Sequence, residues 1–219
     1  MKQLISKRFK NWRYYLLELL VVFVGVTGAF LLNTCRENRI ATTQANHYLE
    51  SIKSDLAEDR ENLEENIAFL QENNRMLGKF LYNQGNDWVR DSTMTVLANS
   101  MQLVSFTGKS STYESMKYSG HLTLINDFEK RTAIVSYYES FATIALKDGL
   151  AQEWTTGKIV EMLLEKIDMR RGVVLDDSIF DELFFLNRYS GLLVLLDQNL
   201  KAYTELLEKN NSLTELLGS

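Results

Sequence analysis

Hydrophobic residues are distributed in two different ways along this chain. Between residues 14 and 35 they are nearly continuous, reading YYLLELLVVFVGVTGAFLLNTC, with Glu18 the only charge. Further on they return every three, four or seven residues, the spacing of one helix face. Leu49, Ile52, Leu56 and Leu63, then Ile67, Leu70, Leu77 and Leu81, mark such a face. The step from Leu63 to Ile67 breaks a strict heptad, so the spacing predicts a coiled-coil-like seam with a stutter. The other faces carry Asp55, Glu58, Asp59, Glu61, Glu64 and Glu65. They lack the glycine-containing loop of a calcium-binding hand and read as a solvated acidic face.

The punctuation predicts further helices. Gly85, Asn86 and Asp87 make a turn, and a helix over 91–106 follows with Asp91 or Ser92 as N-cap. Residues 107–110 form a loop whose Gly108, Lys109 and Ser110 fail as a phosphate loop, because Leu103 replaces the earlier glycine. Ser111 and Glu114 form a capping box opening a short helix that Gly120 closes. Asn126 and Glu129 form a second box. It opens a helix reaching about Arg171, with Phe128, Ile134, Tyr138, Phe141, Ala145, Met162, Leu163 and Ile167 as its apolar stripe. Gly149 and Gly157 could bend that helix, and Gly172 ends it. Asp177 or Ser178 caps a last helix to about Lys209, and Ser212 with Glu215 caps a final turn. The apolar run 192–196 should lie at the centre of a bundle. No stretch alternates as a strand does. The expectation is an all-α protein: a transmembrane helix continuing into a long helical stalk and an antiparallel helical bundle. Its segments are a basic N-terminus at 1–13, a span at 14–35, a stalk at 36–84 and a bundle at 85–219, packed with the stalk helix.

Composition supports long helices, since 219 residues contain no proline. Charge is polarised. Lys2, Lys7, Arg8, Lys10 and Arg13 give the first 13 residues +5, whereas residues 36–219 carry 19 basic and 28 acidic side chains, net −9. An acidic body is unsuited to nucleic acid, which is held by clustered lysine and arginine. The apolar run of 22 residues spans about 33 Å against a hydrocarbon core of about 30 Å. Trp12, Tyr14 and Tyr15 stand where an interfacial aromatic belt belongs, and the basic flank predicts a cytoplasmic N-terminus. A buried soluble helix, a cleaved signal peptide and a lipoprotein signal ending at Cys35 are the rivals. The run exceeds a signal-peptide core, and Thr34 precedes Cys35 where a smaller residue is wanted. An uncleaved inner-membrane span with a periplasmic domain is therefore expected, in contact with lipid.

Glu18 lies about one turn inside that span, where an ionised carboxylate is costly. Val22, Gly25 and Ala29 share its helix face, and Gly25 with Ala29 forms a small-xxx-small pattern that lets helix backbones approach. The stripe predicts a homo-oligomeric contact or one with another membrane protein. Snorkelling of Glu18, or its pairing with Arg13 or Tyr14, is the plainer alternative.

Chemistry is sparse. His47 and His121 have no second ligand at metal spacing, and Cys35 has no nearby base. No catalytic, cofactor-binding or metal residues are assigned and no cofactor is expected. The corner holding Tyr118, Gly120, His121 and Arg131 is the best candidate for partner binding or conformational change; a plain helix-to-helix turn is the alternative. Two segments resemble an uncharacterised Bacteroidota family of small single-span membrane proteins, a domain of unknown function. One runs from Tyr15 and Glu18 through Asn33, Glu37, Asn38 and Arg39 into Tyr48, Lys53, Asp55 and Leu56; the other holds Tyr113, Ser119, Gly120, Leu122, Leu124, Ile125, Arg131, Tyr137 and Tyr138. Cys35 stands where the family pattern leads one to expect a polar residue. The resemblance implies an inner-membrane anchor and a helical domain outside the cytoplasm, and no reaction. The expected role is a non-catalytic, oligomeric scaffold or interaction module. The alternatives are a membrane-anchored sensor or small-ligand module, and a lipoprotein held through Cys35.

Overall fold

A computed structural model describes residues 12–82, 90–168, 170–171, 173–175 and 177–218, without the side chains of 90–94, 177 and 181. The turn expected at Gly85, the stop at Gly172, the caps at Asp91, Ser92 and Asp177, and most of the basic segment lie outside that description. The chain forms two compact units, Met1–Tyr48 and Leu49–Ser219. The protein is all-α.

Helix α1 is Trp12–Tyr82. Up to Leu32 its large apolar residues are bare: Leu16, Leu19, Val22, Phe23, Phe30 and Leu32 are all at least half exposed. The stretch is long and apolar enough to cross a membrane, with none of its apolar window buried. Polar groups near its end are satisfied within the helix. The Thr34 hydroxyl donates to the Phe30 carbonyl at 3.0 Å, and Asn33 Nδ2 donates to Glu37 Oε1 at 2.7 Å.

In the second unit α1 turns a heptad face inward. Leu56, Leu63, Leu70 and Leu77 form one buried column, and Ile52, Asp59, Asn66, Asn73 and Phe80 form the other. The frame is unbroken, which corrects the expected stutter. Asn66 takes the inward position, while Ile67 and Leu81 are only half buried. Apolar residues alone missed the second column because three of its five members are polar.

Helix α2 (Arg90–Ser100) ends earlier than expected. Residues 102–110 are a strap outside any helix or strand, leading into α3 (Ser111–Ser119). Ser110, not Ser111, is the N-cap of α3 and makes no side-chain cap bond. Gly120 ends α3 at φ 76°, the left-handed conformation that favours glycine. After a 3-10 turn at His121–Leu124 comes α4, Phe128–Trp154. Asp127 rather than Asn126 caps it, accepting from the amides of Glu129 and Lys130 at 2.9 and 3.1 Å.

The apolar stripe of α4 keeps Ile134 and Tyr138 buried as expected but adds Tyr137 and Ile144, while Phe128 and Ala145 are exposed. A strict continuation from Tyr137, Ile144 and Ala151 would turn Lys158 inward. A π turn over Thr155–Val160 inserts one residue, so Ile159 is buried and Lys158 exposed. Gly157 lies within that wide turn. Helix α5 (Glu161–Lys166) follows, so the helical path stops five residues short of Arg171. Ile167 adopts an extended backbone and starts a ribbon in which β1 (Ile167–Asp168) pairs antiparallel with β2 (Val173–Val174). Asp168 stabilises the intervening turn by accepting the amides of Arg170 and Arg171.

After a 3-10 turn at Asp177–Asp181, α6 runs unbroken over Leu183–Gly218. No new cap occurs at Ser212, whose hydroxyl donates back to the Glu208 carbonyl. Its inward columns are Phe185, Leu192, Asn199, Leu206, Leu213 and Tyr189, Leu196, Tyr203, Asn210, Leu217. The run 192–196 is thus not central all round; Val194 is 56% exposed.

Helices α4 and α6 approach closely where α6 has no side chain. A Cβ on Gly191 would collide with the ring of Trp154, whose Nε1 donates to the Arg188 carbonyl at 2.9 Å. Alanine at 191 should therefore destabilise by about 1–3 kcal/mol despite its better helix propensity. Chemical denaturation followed by tryptophan fluorescence measures this; an unchanged or stabilised bundle would contradict the packing.

Candidate functional site

Several polar residues of the bundle gather into two clusters beside the strap. In the first, Asp59 of α1 is 2% exposed. Its Oδ1 accepts the Lys109 amide at 2.8 Å, and its Oδ2 accepts the Tyr137 hydroxyl at 2.8 Å. Asn210 of α6 ties the cluster to a third helix, donating through Nδ2 to the Tyr137 hydroxyl at 3.1 Å and to the Leu56 carbonyl at 2.9 Å. In the second, Asp148 of α4 accepts the Phe106 amide at 3.1 Å through Oδ2 and Asn199 Nδ2 at 3.1 Å through Oδ1. The Tyr203 hydroxyl lies 2.9 Å from both its oxygens.

Each cluster has the same parts: a carboxylate, a tyrosine, an asparagine and one strap amide. Past Gln102, whose amide donates to the Asn99 carbonyl, the strap amides of Phe106 and Lys109 are supplied with strong acceptors. Phe106 is buried with its ring edge-on to Phe141 at 5.2 Å and to Tyr203 at 6.3 Å. Gly108 permits this approach, since a Cβ there would overlap the Phe141 ring. The residues that resemble the end of a phosphate loop thus lie along a strap threaded across α1, α4 and α6.

Burial sets the electrostatics. The Lys109 ammonium pairs with Glu58 at 2.8 Å and leaves Asp59 hydrogen-bonded but without an ion pair among the described contacts. Desolvation raises the Asp59 pKa above the ordinary aspartate value, against the lowering effect of the Lys109 amide and Tyr137, and the charge of Asp55 adds to the rise. Asp148 is also raised by desolvation, opposed by the Phe106 amide and Tyr203. Tyr137 and Tyr203 are pushed up by burial and by the carboxylates beside them.

Beside the first cluster, between α4 and α6, runs an open groove of about 640 Å³. Glu129, Ser136, Glu205 and Lys209 line it, and Tyr137 and Leu213 form part of its wall. Tyr137 joins the groove to the interior, but its hydroxyl is bonded to Asp59.

The residues singled out in the sequence lie elsewhere. Glu18, Val22, Gly25 and Ala29 are exposed, and a Cβ on Gly25 would meet nothing within 4 Å. At the corner, Tyr118 is 85% exposed and His121 half buried, with Gly120 supplying the turn. Arg131 donates to the Ile125 carbonyl at 2.7 Å and lies over the Phe128 ring. His47 and Cys35 are exposed. Among the described residues, no three His, Cys, Asp or Glu side chains gather as metal ligands. The two clusters were missed because an aspartate on a helix rich in acids reads as surface. The available signal was the seven-residue spacing of Asp59, Asn66 and Asn73 beside the leucine column. No protein-family model, curated protein or solved structure matches this chain.

Asp59→Ala removes the acceptor of two buried donors and should cost about 2–5 kcal/mol. Asp59→Asn keeps one acceptor and removes the buried charge, so it should cost distinctly less. Urea denaturation of both variants tests the ranking; equal losses would mean that the hydrogen bonds of Asp59 do not matter.

Proposed function

We propose that the protein is a non-catalytic, membrane-anchored scaffold or interaction module. The apolar stretch of α1 is the anchor and the bundle Leu49–Ser219 is the working domain. The observation that carries this reading is the bare apolar surface of α1, with none of its apolar window buried. Covering that much apolar surface is strongly favourable, and a bilayer covers it completely. The basic segment before it and the acidic body after it favour an inner-membrane location with N-terminus cytoplasmic and bundle periplasmic. Likeness to the Bacteroidota single-span family stays within this proposal and agrees with it.

Oligomerisation now rests on the span alone. The heptad face over residues 52–80 is buried by the chain's own helices and has no free seam to offer a second copy. The stripe of Glu18, Val22, Gly25 and Ala29 remains open. A membrane-anchored sensor or ligand-binding module is the second reading, favoured by the groove beside Tyr137.

Intact mass and topology decide the anchor. The expected result is detergent-dependent extraction of the whole 25.3 kDa chain and a C-terminal reporter active only outside the cytoplasm. Loss of residues 1–34 with a lipid on Cys35 would replace the span by a lipoprotein anchor; release without detergent would end the membrane reading altogether. Cross-linking in native membranes should give discrete multimers or a fixed partner, and Gly25→Leu should reduce them several-fold.

A further inference from the structure

We propose that the strap 102–110 is a latch that tightens on uptake of protons by Asp59 and Asp148 and loosens when both are ionised. All the groups of the latch belong to the unit Leu49–Ser219, so it does not depend on the membrane reading.

The geometry is a two-point clamp. Asp59 holds the Lys109 amide and Asp148 the Phe106 amide, from different helices and three residues apart on the strap. Between these points Gly108 lies against Phe141. Between Gln102, whose amide donates to Asn99 of α2, and Ser110, whose carbonyl accepts from Glu114 of α3, the strap is seated by the two carboxylates and by burial of Phe106.

Asp59 is buried and Asp148 half-buried, and among the described contacts neither forms an ion pair, although the Lys109 charge still favours the ionised form of Asp59. Around Asp59 stand Asp55 and Glu58 of its own helix, Lys109 of the strap, Tyr137 and Tyr138 of α4, and the neutral Asn210 of α6. Lys109 is engaged by Glu58, and Asp55 is a like charge. Around Asp148 stand the Phe106 amide and, from α6, the neutral Asn199 and Tyr203. A neutral carboxyl can still accept the strap amide through its carbonyl oxygen, so protonation keeps the bond that seats the strap and removes the buried charge.

The sign follows from linkage. With the strap seated, each carboxyl holds its proton more tightly than it does once water reaches it. Seating is therefore favoured as pH falls through the raised pKa and weakened as pH climbs above it. Loosening would uncover Phe106 and the Phe141 and Tyr203 rings it covers, an apolar surface that appears only above that pH.

Amide hydrogen exchange on the full chain in detergent tests the latch. Corrected for intrinsic exchange, and relative to amides in the middle of α6, protection of Phe106 and Lys109 should rise from about pH 7 to about pH 4. The rise is at most about tenfold per pH unit for each linked proton. Asp59→Asn should flatten the dependence at Lys109, and Asp148→Asn at Phe106. Protection that is flat or falls on acidification overturns the proposal, as does a dependence that survives in both variants. Should a variant fail to fold, carboxyl carbon shifts of the wild type decide instead: two aspartates titrating above the ordinary range support the latch, and titration at or below it refutes the latch.

Discussion

A carboxylate withdrawn from water is tolerated only where donors converge on it, and in this protein that requirement organises the bundle. Asp59 is enclosed by an amide from the strap and a hydroxyl from α4, and that hydroxyl is held by an asparagine of α6. Four parts of the chain must be in register for one side chain to be satisfied. Asp148 repeats the demand about three helical turns further along α4, with the strap and α6 as partners. Buried leucines favour collapse in many registers, because dispersion and hydrophobic burial are not directional. A buried aspartate with two specific donors favours one.

The strap makes the device necessary. A continuous helix between α2 and α3 would satisfy its own amides; the irregular strap needs outside acceptors for Phe106 and Lys109. Its path brings Phe106 between Phe141 and Tyr203 and lets Gly108 lie against a ring. The π turn in α4 answers a similar conflict between backbone period and side-chain chemistry. One extra residue in a wide turn turns Ile159 inward and leaves Lys158 in solvent, where a strict repeat would have done the reverse.

Two kinds of surface coexist in one long helix. Over its first residues α1 is apolar on nearly every face and is not covered by the described residues; from Ile52 to Phe80 it turns one face inward and is covered. The first pattern asks for a solvent other than water, the second for neighbouring helices. The seam that a reading of the chain alone offers to a second copy is already occupied by α4, α6 and the strap. On the proposed reading this leaves the stripe of Glu18, Val22, Gly25 and Ala29 as the place where copies or partners could meet.

Local chemistry was enough to establish the helical class, the long apolar stretch, the absence of proline breaks, the left-handed turn at Gly120 and the leucine column from Leu56 to Leu77. Each depends on neighbours within one or two turns. The unbroken heptad, the strap, the shift of frame at the π turn and the two aspartate clusters were decided only in three dimensions. An aspartate, asparagine or tyrosine at an inward position looks like a surface residue until its partner arrives. Here the partners of Asp59 are 50 and 78 residues away in the chain. Whether such a residue faces water or the core depends on hydrogen bonds that form only when distant helices meet, and no periodicity along one helix encodes them.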